Sequence, residues 1–306
     1  MLTFSLIICC YNSIERIEQT LRAVCSMNTP DDVEWELIVV DNNSSDGTAE
    51  YCSQLLAELS PPSARVVEEK EPGLMNARIC GAAAAKNDYL AFIDDDNWPD
   101  ISWLEEAASI PKDYPEVGAW GGWCTGVGDE GLPEWFDKHA GKFACGKMPQ
   151  PEGICASPFL RGAGLCIRKT AWDQICHLLK NPFLLGRTGK SLSSGDDNFI
   201  CQLLVRHGWH LYYNPRMHMM HYMPPSRLTL DYLFRVHEGI GRSFSRLRPA
   251  VLVTTGWPKM AFHPLRYYYK LRQLPDYIKY SNEHKAQPDD IDLKCRYILA
   301  RSKLFG

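Results

Sequence analysis

The first 94 residues alternate between apolar runs of strand length and stretches with helical periodicity, and no other feature of the chain restricts its fold so strongly. FSLIICC (4–10) reads as a strand, and SIERIEQTLRAVCSM (13–27) as a helix with Ile14, Ile17, Leu21 and Val24 on one face. WELIVVD (35–41) is the next strand, followed by SSDGTAEYCSQLLAEL, a helix for which Ser44 or Ser45 is expected to supply the cap. ARVVEE (64–69), GLMNARICGAAAAK (73–86) and DYLAFID (88–94) continue as strand, helix, strand. Strands recurring every ~25 to 30 residues with helices between them predict a parallel sheet with crossover helices. In such α/β sheets ligands bind beyond the carboxyl ends of the strands, which is where Asp41 and the run Asp94, Asp95, Asp96 stand.

The pattern weakens beyond residue 110. YPEVGAWGGWCTGVGDEGLPEWF reads as a short strand followed by loops, SPFLRGAGLCIRK (157–169) as another strand, and TAWDQICHLL as a short helix. GDDNFICQLLVRHG (195–208) reads as a helix opened by Asp196 and Asp197, whose charges suit the positive end of a helix dipole. WHLYYNP and RMHMMHYM close a domain expected to span 1–225, with His218 and His221 placed after a strand. From Leu228 onward the text is helical, aromatic and basic, so 226–306 is expected to form a mainly helical extension. Charge divides at the same place. Residues 226–306 carry 15 Lys and Arg against 7 Asp and Glu, a balance of +8, which leaves −12 for the rest of a chain whose total is −4. An acidic body and a basic tail meet different partners.

Several classes are excluded. No stretch reaches about 18 uninterrupted apolar residues, the length of a membrane-spanning helix. The N-terminal MLTFSLIICCYN lacks a basic leader and breaks early, so a first strand is expected there and not a signal peptide. Twelve cysteines contain no C-x-x-C pair, and Cys9, Cys80, Cys166 and Cys201 fall in apolar runs. Buried reduced thiols in a reducing compartment are therefore expected. GVGDEG (126–131) matches a dinucleotide-binding glycine pattern, but Asp129 and Glu130 would repel a pyrophosphate. GRTGKS ends like a P-loop, yet the required first glycine is Leu184. DNNSSDG and DDDNWPD have Asp46 and Pro99 where a calcium loop needs glycine.

Three adjacent aspartates at the mouth of a buried strand repel one another unless a cation or a basic partner lies among them. That run belongs to four ordered blocks: SLIICCYNSIERIEQTLRAV, ELIVVDNNSSDGT, GLMNARICGAAAAKNDYLAFIDDDN and GDDNFICQLLVRHGW. Together they resemble the family 2 glycosyltransferases of the GT-A fold over about residues 3–225. GAGLCIRK and HYMPPSRLTLDYL are most like bacterial polysaccharide-type members.

The resemblance implies a Rossmann-like, mostly parallel central sheet with helices on both faces. It also implies inverting, hexosyltransferase-type transfer from a nucleotide-diphosphate sugar, a UDP-sugar by preference, with Mn²⁺ or Mg²⁺. The acceptor would be a glycan or lipid-linked glycan, and no nucleic-acid partner is expected. In the family's D-x-D pattern Asp94 would hold the ribose or a metal-bound water, Asp96 would ligate the metal, and Asp95 lies between them on the donor side. Asn97 departs from the further aspartate of many relatives. Tyr11 would stack on the base and Asp41 accept its ring N–H, with Asn12 and Arg78 on the diphosphate side. His221 would complete the metal set. Asp197 occupies the position of the general base and Asp196 that of a usual Glu; either can also serve simply as a helix cap. A helical tail rich in Tyr, Trp, Leu and basic residues suits peripheral contact with the inner face of a membrane, or packing on the catalytic domain. Two rivals share these features: a sugar nucleotidyltransferase, and a GT-A protein that binds a nucleotide sugar or glycan without turning it over.

Overall fold

The computed structural model describes residues 1–180, 195–257 and 262–306; GRTGKS (186–191) lies outside them. The described residues form two compact units. One comprises Met1–Lys180 with Ile200–Pro224, and the other the described parts of Asn181–Phe199 and Pro225–Gly306.

Chain order in the first unit is β1 (Leu2–Cys10), α1 (Ile17–Cys25), β2 (Val33–Asp41), α2 (Thr48–Leu59), β3 (Ala64–Glu68), α3 (Leu74–Ala84) and β4 (Tyr89–Asp94). It continues with β5 (Asn97–Pro99), α4 (Trp103–Asp113), β6 (Val117–Val127), α5 (Phe136–His139), β7 (Gly153–Ile154), β8 (Leu165–Arg168) and α6 (Lys169–Leu179). The division between units falls within α7 (Asp196–Arg206), and β9 (His210–Tyr222) follows. The second unit continues as α8 (Leu230–Thr254), α9 (Phe262–Leu271), α10 (Leu274–Ala286) and α11 (Ile291–Phe305).

The sheet runs β3-β2-β1-β4-β8-β6-β9-β5, with β7 added on β9. β1 pairs in parallel with β2 and β4, and β2 with β3. β8 enters antiparallel to both β4 and β6, while β6 and β9 are again parallel. Parallel strands are covered on both faces and so read as continuous apolar runs. In β1 the residues Phe4, Leu6, Ile7 and Ile8 are all fully buried, each contributing about 2 kcal/mol of apolar burial. Gly81 lets α3 lie close on this layer, since a Cβ there would stand 2.4 Å from Ile7 Cγ2.

Sequence and structure part company at several points. Helix α1 begins only at Ile17, and Ile14 is exposed in the turn before it. Neither Ser44 nor Ser45 caps α2. Gly47 holds that position at φ +87°, and Asp46 Oδ1 accepts from the Thr48 amide (3.1 Å) and hydroxyl (2.6 Å). The stretch expected as a short strand and loops contains β6, eleven residues long. Its glycines lower strand propensity but permit close approach: a Cβ on Gly122 would stand 1.6 Å from the Met217 carbonyl oxygen, at a register shift between β6 and β9. Within 157–169 only Leu165–Arg168 is a strand. His218 and His221 lie inside β9 and do not follow it. All twelve cysteines are free thiols, with Cys9 and Cys80 half-buried and not enclosed.

Candidate active site

Register aligns the carboxyl ends of three strands, because Cys10 pairs with Asp41 across β1 and β2 while Cys9 pairs with Asp94 across β1 and β4. The chain leaving β1 turns sharply. Asn12 sits at φ +48°, its amide donates to Ser44 Oγ (3.0 Å), and its side-chain oxygen accepts from the Ser45 amide (2.9 Å). Asn12 thereby ties the first loop to the second and leaves Tyr11, 44% exposed, at the rim.

Asp41 is buried at the end of β2. Its Oδ2 accepts from the Ser44 amide at 3.2 Å, whereas its Oδ1 is buried without a hydrogen-bond partner among the described residues. A buried carboxylate oxygen left bare costs free energy unless something donates to it. The next residue, Asn42, holds the following loop. Its amide nitrogen donates to the carbonyls of Glu69 (3.0 Å) and Glu71 (2.8 Å), and its oxygen accepts from the Gly73 amide (2.7 Å).

The three aspartates after β4 do not share one compensating charge, as the bare sequence suggests; each has its own basic neighbour. Asp94, one-third exposed, has Oδ1 3.8 Å from Nη2 of the buried Arg78, whose guanidinium also lies over the Phe92 ring. Asp95 is buried and takes hydrogen bonds from Arg16 (2.6 Å) and the Ser13 hydroxyl, and its carbonyl accepts from Thr20 Oγ1 (3.0 Å). Burial, followed by the Asp96 charge, raises the Asp95 carboxyl above its ordinary range against the opposing pull of Arg16. Asp96 is buried with Oδ1 3.3 Å from His221 Nε2, and its carbonyl accepts from the Tyr222 amide at 2.8 Å. Pairing of Asn97 with His221 across β5 and β9 brings the two together.

Burial by itself would strip the proton from His221, but the Asp96 carboxylate outweighs it and pushes the imidazole up to about 10. A raised histidine adds stability that is complete below its unfolded value of about 6.5 and is lost as pH climbs through the folded value. Without divalent metal, the melting temperature of the wild-type protein should therefore fall between pH 7 and about 10 relative to His221→Gln. Thermal unfolding in chelator across that range checks this, and a difference that widens in favour of the wild type as pH rises contradicts it.

Asp96 and His221 present one oxygen and one nitrogen donor side by side, and Asp94 does not close a three-ligand cluster with them. Such a pair fits a divalent ion that takes its remaining ligands from water and substrate phosphates. The other histidine of interest, His218, is engaged elsewhere. Its Nδ1 meets Asp100 Oδ2 at 2.8 Å, its Nε2 meets Thr125 Oγ1 at 2.9 Å, and its ring packs on Trp123.

Asp196 and Asp197 open α7 after Gly195, which at φ +119° takes a backbone conformation open to glycine. Asp196 is buried, and Asp197 Oδ1 accepts from the Asn198 amide at 2.8 Å. Both belong to the second unit; the other predicted site residues belong to the first. Sequence reading missed Ser13, Arg16 and Asn42, which hold the strand-end loops in place. Arg16 is the one with a legible signal, as a basic residue soon after the first strand in a chain with clustered acids at another strand's mouth.

Comparison with known proteins places this geometry. A family model described as Glycosyl transferase family 2 matches residues 5–161, just over half the chain. Glycosyltransferase AglE of Haloferax volcanii is 36% identical over 105 residues, 34% of this chain and 34% of that protein. The putative teichuronic acid biosynthesis glycosyltransferase TuaG of Bacillus subtilis is 34% identical over 89 residues, 29% of this chain and 34% of that protein. The matched region thus spans about a third of the length of these relatives. Among solved structures, the mannosyltransferase PcManGT from Pyrobaculum calidifontis, in complex with GDP-Man and Mn²⁺, superimposes with a TM-score of 0.62 at 16% identity, covering 98% of this chain and 86% of that one. These likenesses establish the expected GT-A architecture, a mixed α/β sheet with helices on both sides and a helical C-terminal region.

Proposed function

Because the chain belongs to glycosyl transferase family 2, we propose that it transfers a sugar, with inversion, from a nucleotide-diphosphate donor to a hydroxyl of a glycan or lipid-linked glycan. The observation that carries the donor reading is the buried oxygen of Asp41, without a partner among the described residues, with the exposed Tyr11 one residue past Cys10, the strand partner of Asp41. An imide or lactam N–H would satisfy that oxygen while the base stacks on the tyrosine. Uracil, thymine and guanine offer such a donor; cytosine presents a lone pair there and would be repelled. UDP-sugars are our first choice.

Asp94 faces the ribose or a metal-bound water in this reading. Arg78 contributes positive charge on the diphosphate side, where its planar fork suits phosphate oxygens. Asn12 and Asp95 act as positioning residues, since their side chains brace the loops that carry Tyr11 and Asp96. Asp96 and His221 would hold Mn²⁺ or Mg²⁺, which when bound neutralises charge on the departing diphosphate. Asp197 takes the proton of the acceptor hydroxyl as its oxygen bonds to the anomeric carbon, opposite the bond to phosphate that breaks. The basic helical unit is proposed to meet an anionic membrane surface where a lipid-linked acceptor resides. Among the described residues no helix is long and apolar enough to cross a membrane.

Thermal-shift titration with UDP-, GDP-, CMP- and dTDP-sugars, with and without Mn²⁺, tests the donor reading. Asp41→Asn should weaken donor binding by about 10- to 100-fold, equivalent to roughly 1–3 kcal/mol for a lost charge-assisted hydrogen bond. The same variant without donor should melt at the wild-type temperature or above it, since it removes a buried, half-satisfied charge. CMP-sugars binding as well as UDP-sugars, or unchanged donor affinity in Asp41→Asn, would refute this placement of the base.

A further inference from the structure

Behind the pair formed by Asp96 and His221 lies a thiol that touches neither donor nor metal in the reading above. Cys145 Sγ stands 3.8 Å from His221 Nδ1, the ring nitrogen that does not face Asp96, and both side chains are buried. The same sulfur lies 3.4 Å from the Phe143 carbonyl oxygen, to which the thiol donates. A carbonyl can only accept and a thiol has one proton to give, so the sulfur is left as the acceptor of a proton on Nδ1. Asp96 at one nitrogen and Cys145 at the other together fix the plane of the imidazole.

The fold delivers that sulfur by a specific route. Gly126 pairs with His221 across β6 and β9, and a Cβ on Gly126 would stand 2.8 Å from the Phe136 ring and 3.5 Å from Cys145 Sγ. Glycine at that position therefore keeps open the space the thiol and the ring occupy. The segment carrying Cys145 is pinned to β6, since Cys124 and Cys145 form a parallel bridge and the Gly146 amide donates to the Cys124 carbonyl at 2.8 Å. Its other anchor is the Cys145 amide, which donates to the Ala140 carbonyl at 2.9 Å. Ala144, just before Cys145, takes φ +59°, a left-handed conformation that is costly for alanine and persists where its surroundings fix it.

Histidines that ligate metals are held by an acceptor on the other ring nitrogen, which sets the tautomer and aims the ring. We propose that Cys145 is such a positioning residue: its sulfur holds the Nδ1 proton of His221, so that Nε2 turns its lone pair to the ion beside Asp96. A thiol is a weaker acceptor than an oxygen, but at a buried position no water competes with it. This inference rests on the reading of Asp96 and His221 as metal ligands, and the experiment below separates the two.

Mn²⁺ is titrated into the full chain without donor, with free Mn²⁺ counted by electron spin resonance, for the wild type, Cys145→Ala, Cys124→Ala and His221→Gln. Cys124 is buried like its bridge partner, and its thiol makes no hydrogen bond among the described residues, so Cys124→Ala reports what loss of a buried sulfur costs by itself. Affinity should fall about tenfold or more in Cys145→Ala and stay within about twofold of the wild type in Cys124→Ala. A second readout follows the ring. In protein labelled with ¹⁵N at histidine and loaded with diamagnetic Mg²⁺, the His221 resonances, identified by their absence from His221→Gln, should show a proton on Nδ1 and none on Nε2. That proton's resonance should shift in Cys145→Ala and stay in place in Cys124→Ala. Should Cys145→Ala fail to fold, the wild-type spectrum decides by itself. Lost Mn²⁺ binding in His221→Gln with wild-type affinity in Cys145→Ala overturns the role of Cys145 and leaves the metal reading intact. Wild-type affinity in His221→Gln overturns both. A bare Nδ1 in the loaded protein, or equal losses in Cys145→Ala and Cys124→Ala, shows that the sulfur only fills space.

Discussion

Asp197→Asn should lower turnover by about 100-fold or more while donor and metal affinity change by less than about twofold. Asparagine keeps the size of the side chain and an oxygen that can accept from the Asn198 amide, as Asp197 Oδ1 does at 2.8 Å. It cannot take a proton, so only a step that needs a base suffers. Asp196→Asn should cost much less, since the buried Asp196 lies at the first turn of α7, where a helix N-terminus favours any acceptor. Nucleotide release, measured beside donor titration of the same proteins, separates the two. If Asp196→Asn is inactive and Asp197→Asn is not, the base is Asp196. If both remain active, the pair only starts the helix and the proposed proton transfer is wrong.

Asp96→Ala should abolish metal-dependent donor binding, an effect of more than about 100-fold given that even outer-shell partners of a metal change affinity 10- to 100-fold. The geometry gives this variant a second signature. With Asp96 absent, His221 remains buried and loses the neighbour that holds its proton, so the imidazole should become neutral near pH 7. Metal-free Asp96→Ala should therefore lose the pH-dependent stability of the wild type along with its response to Mn²⁺. Donor affinity equal to the wild type in chelator, for either protein, would remove the metal from the mechanism.

The strand ends that carry the site were legible because parallel strands buried on both faces announce themselves as apolar runs. Asp41 and Asp94 are simply the first charges after such runs. What holds those ends in place was not legible. Arg16 meets Asp95 across 79 positions of sequence, and Asn12 meets Ser45 across 33. Contacts that the fold alone brings together leave no local period or motif. The aspartate run illustrates the consequence: three adjacent carboxylates imply one shared cation when read as text, whereas Arg78, Arg16 and His221 each arrive from a different element to meet one of them. Strand β6 was hidden for another reason. Its glycines depress strand propensity, and the reason for at least one of them, the close passage of Gly122 by Met217, exists only once β9 is in place. The choice of His221 over His218 rested on the resemblance and not on a pattern in the residues, since alternation along β9 decides which faces Asp96 and which faces Asp100.

Inverting glycosyl transfer with Asp197 as base can be tested without knowing the acceptor. Water can stand in for the acceptor hydroxyl, and proton NMR reads the anomer formed before mutarotation. With the donor that gives the largest thermal shift, carrying an α-linked sugar, and with Mn²⁺ present, the first free sugar should be the β anomer. Its formation should fall at least about 100-fold in Asp197→Asn. An α anomer as first product would contradict inversion, and a tightly bound donor that is never cleaved, with water or with any acceptor glycan, would show a binding protein in place of an enzyme.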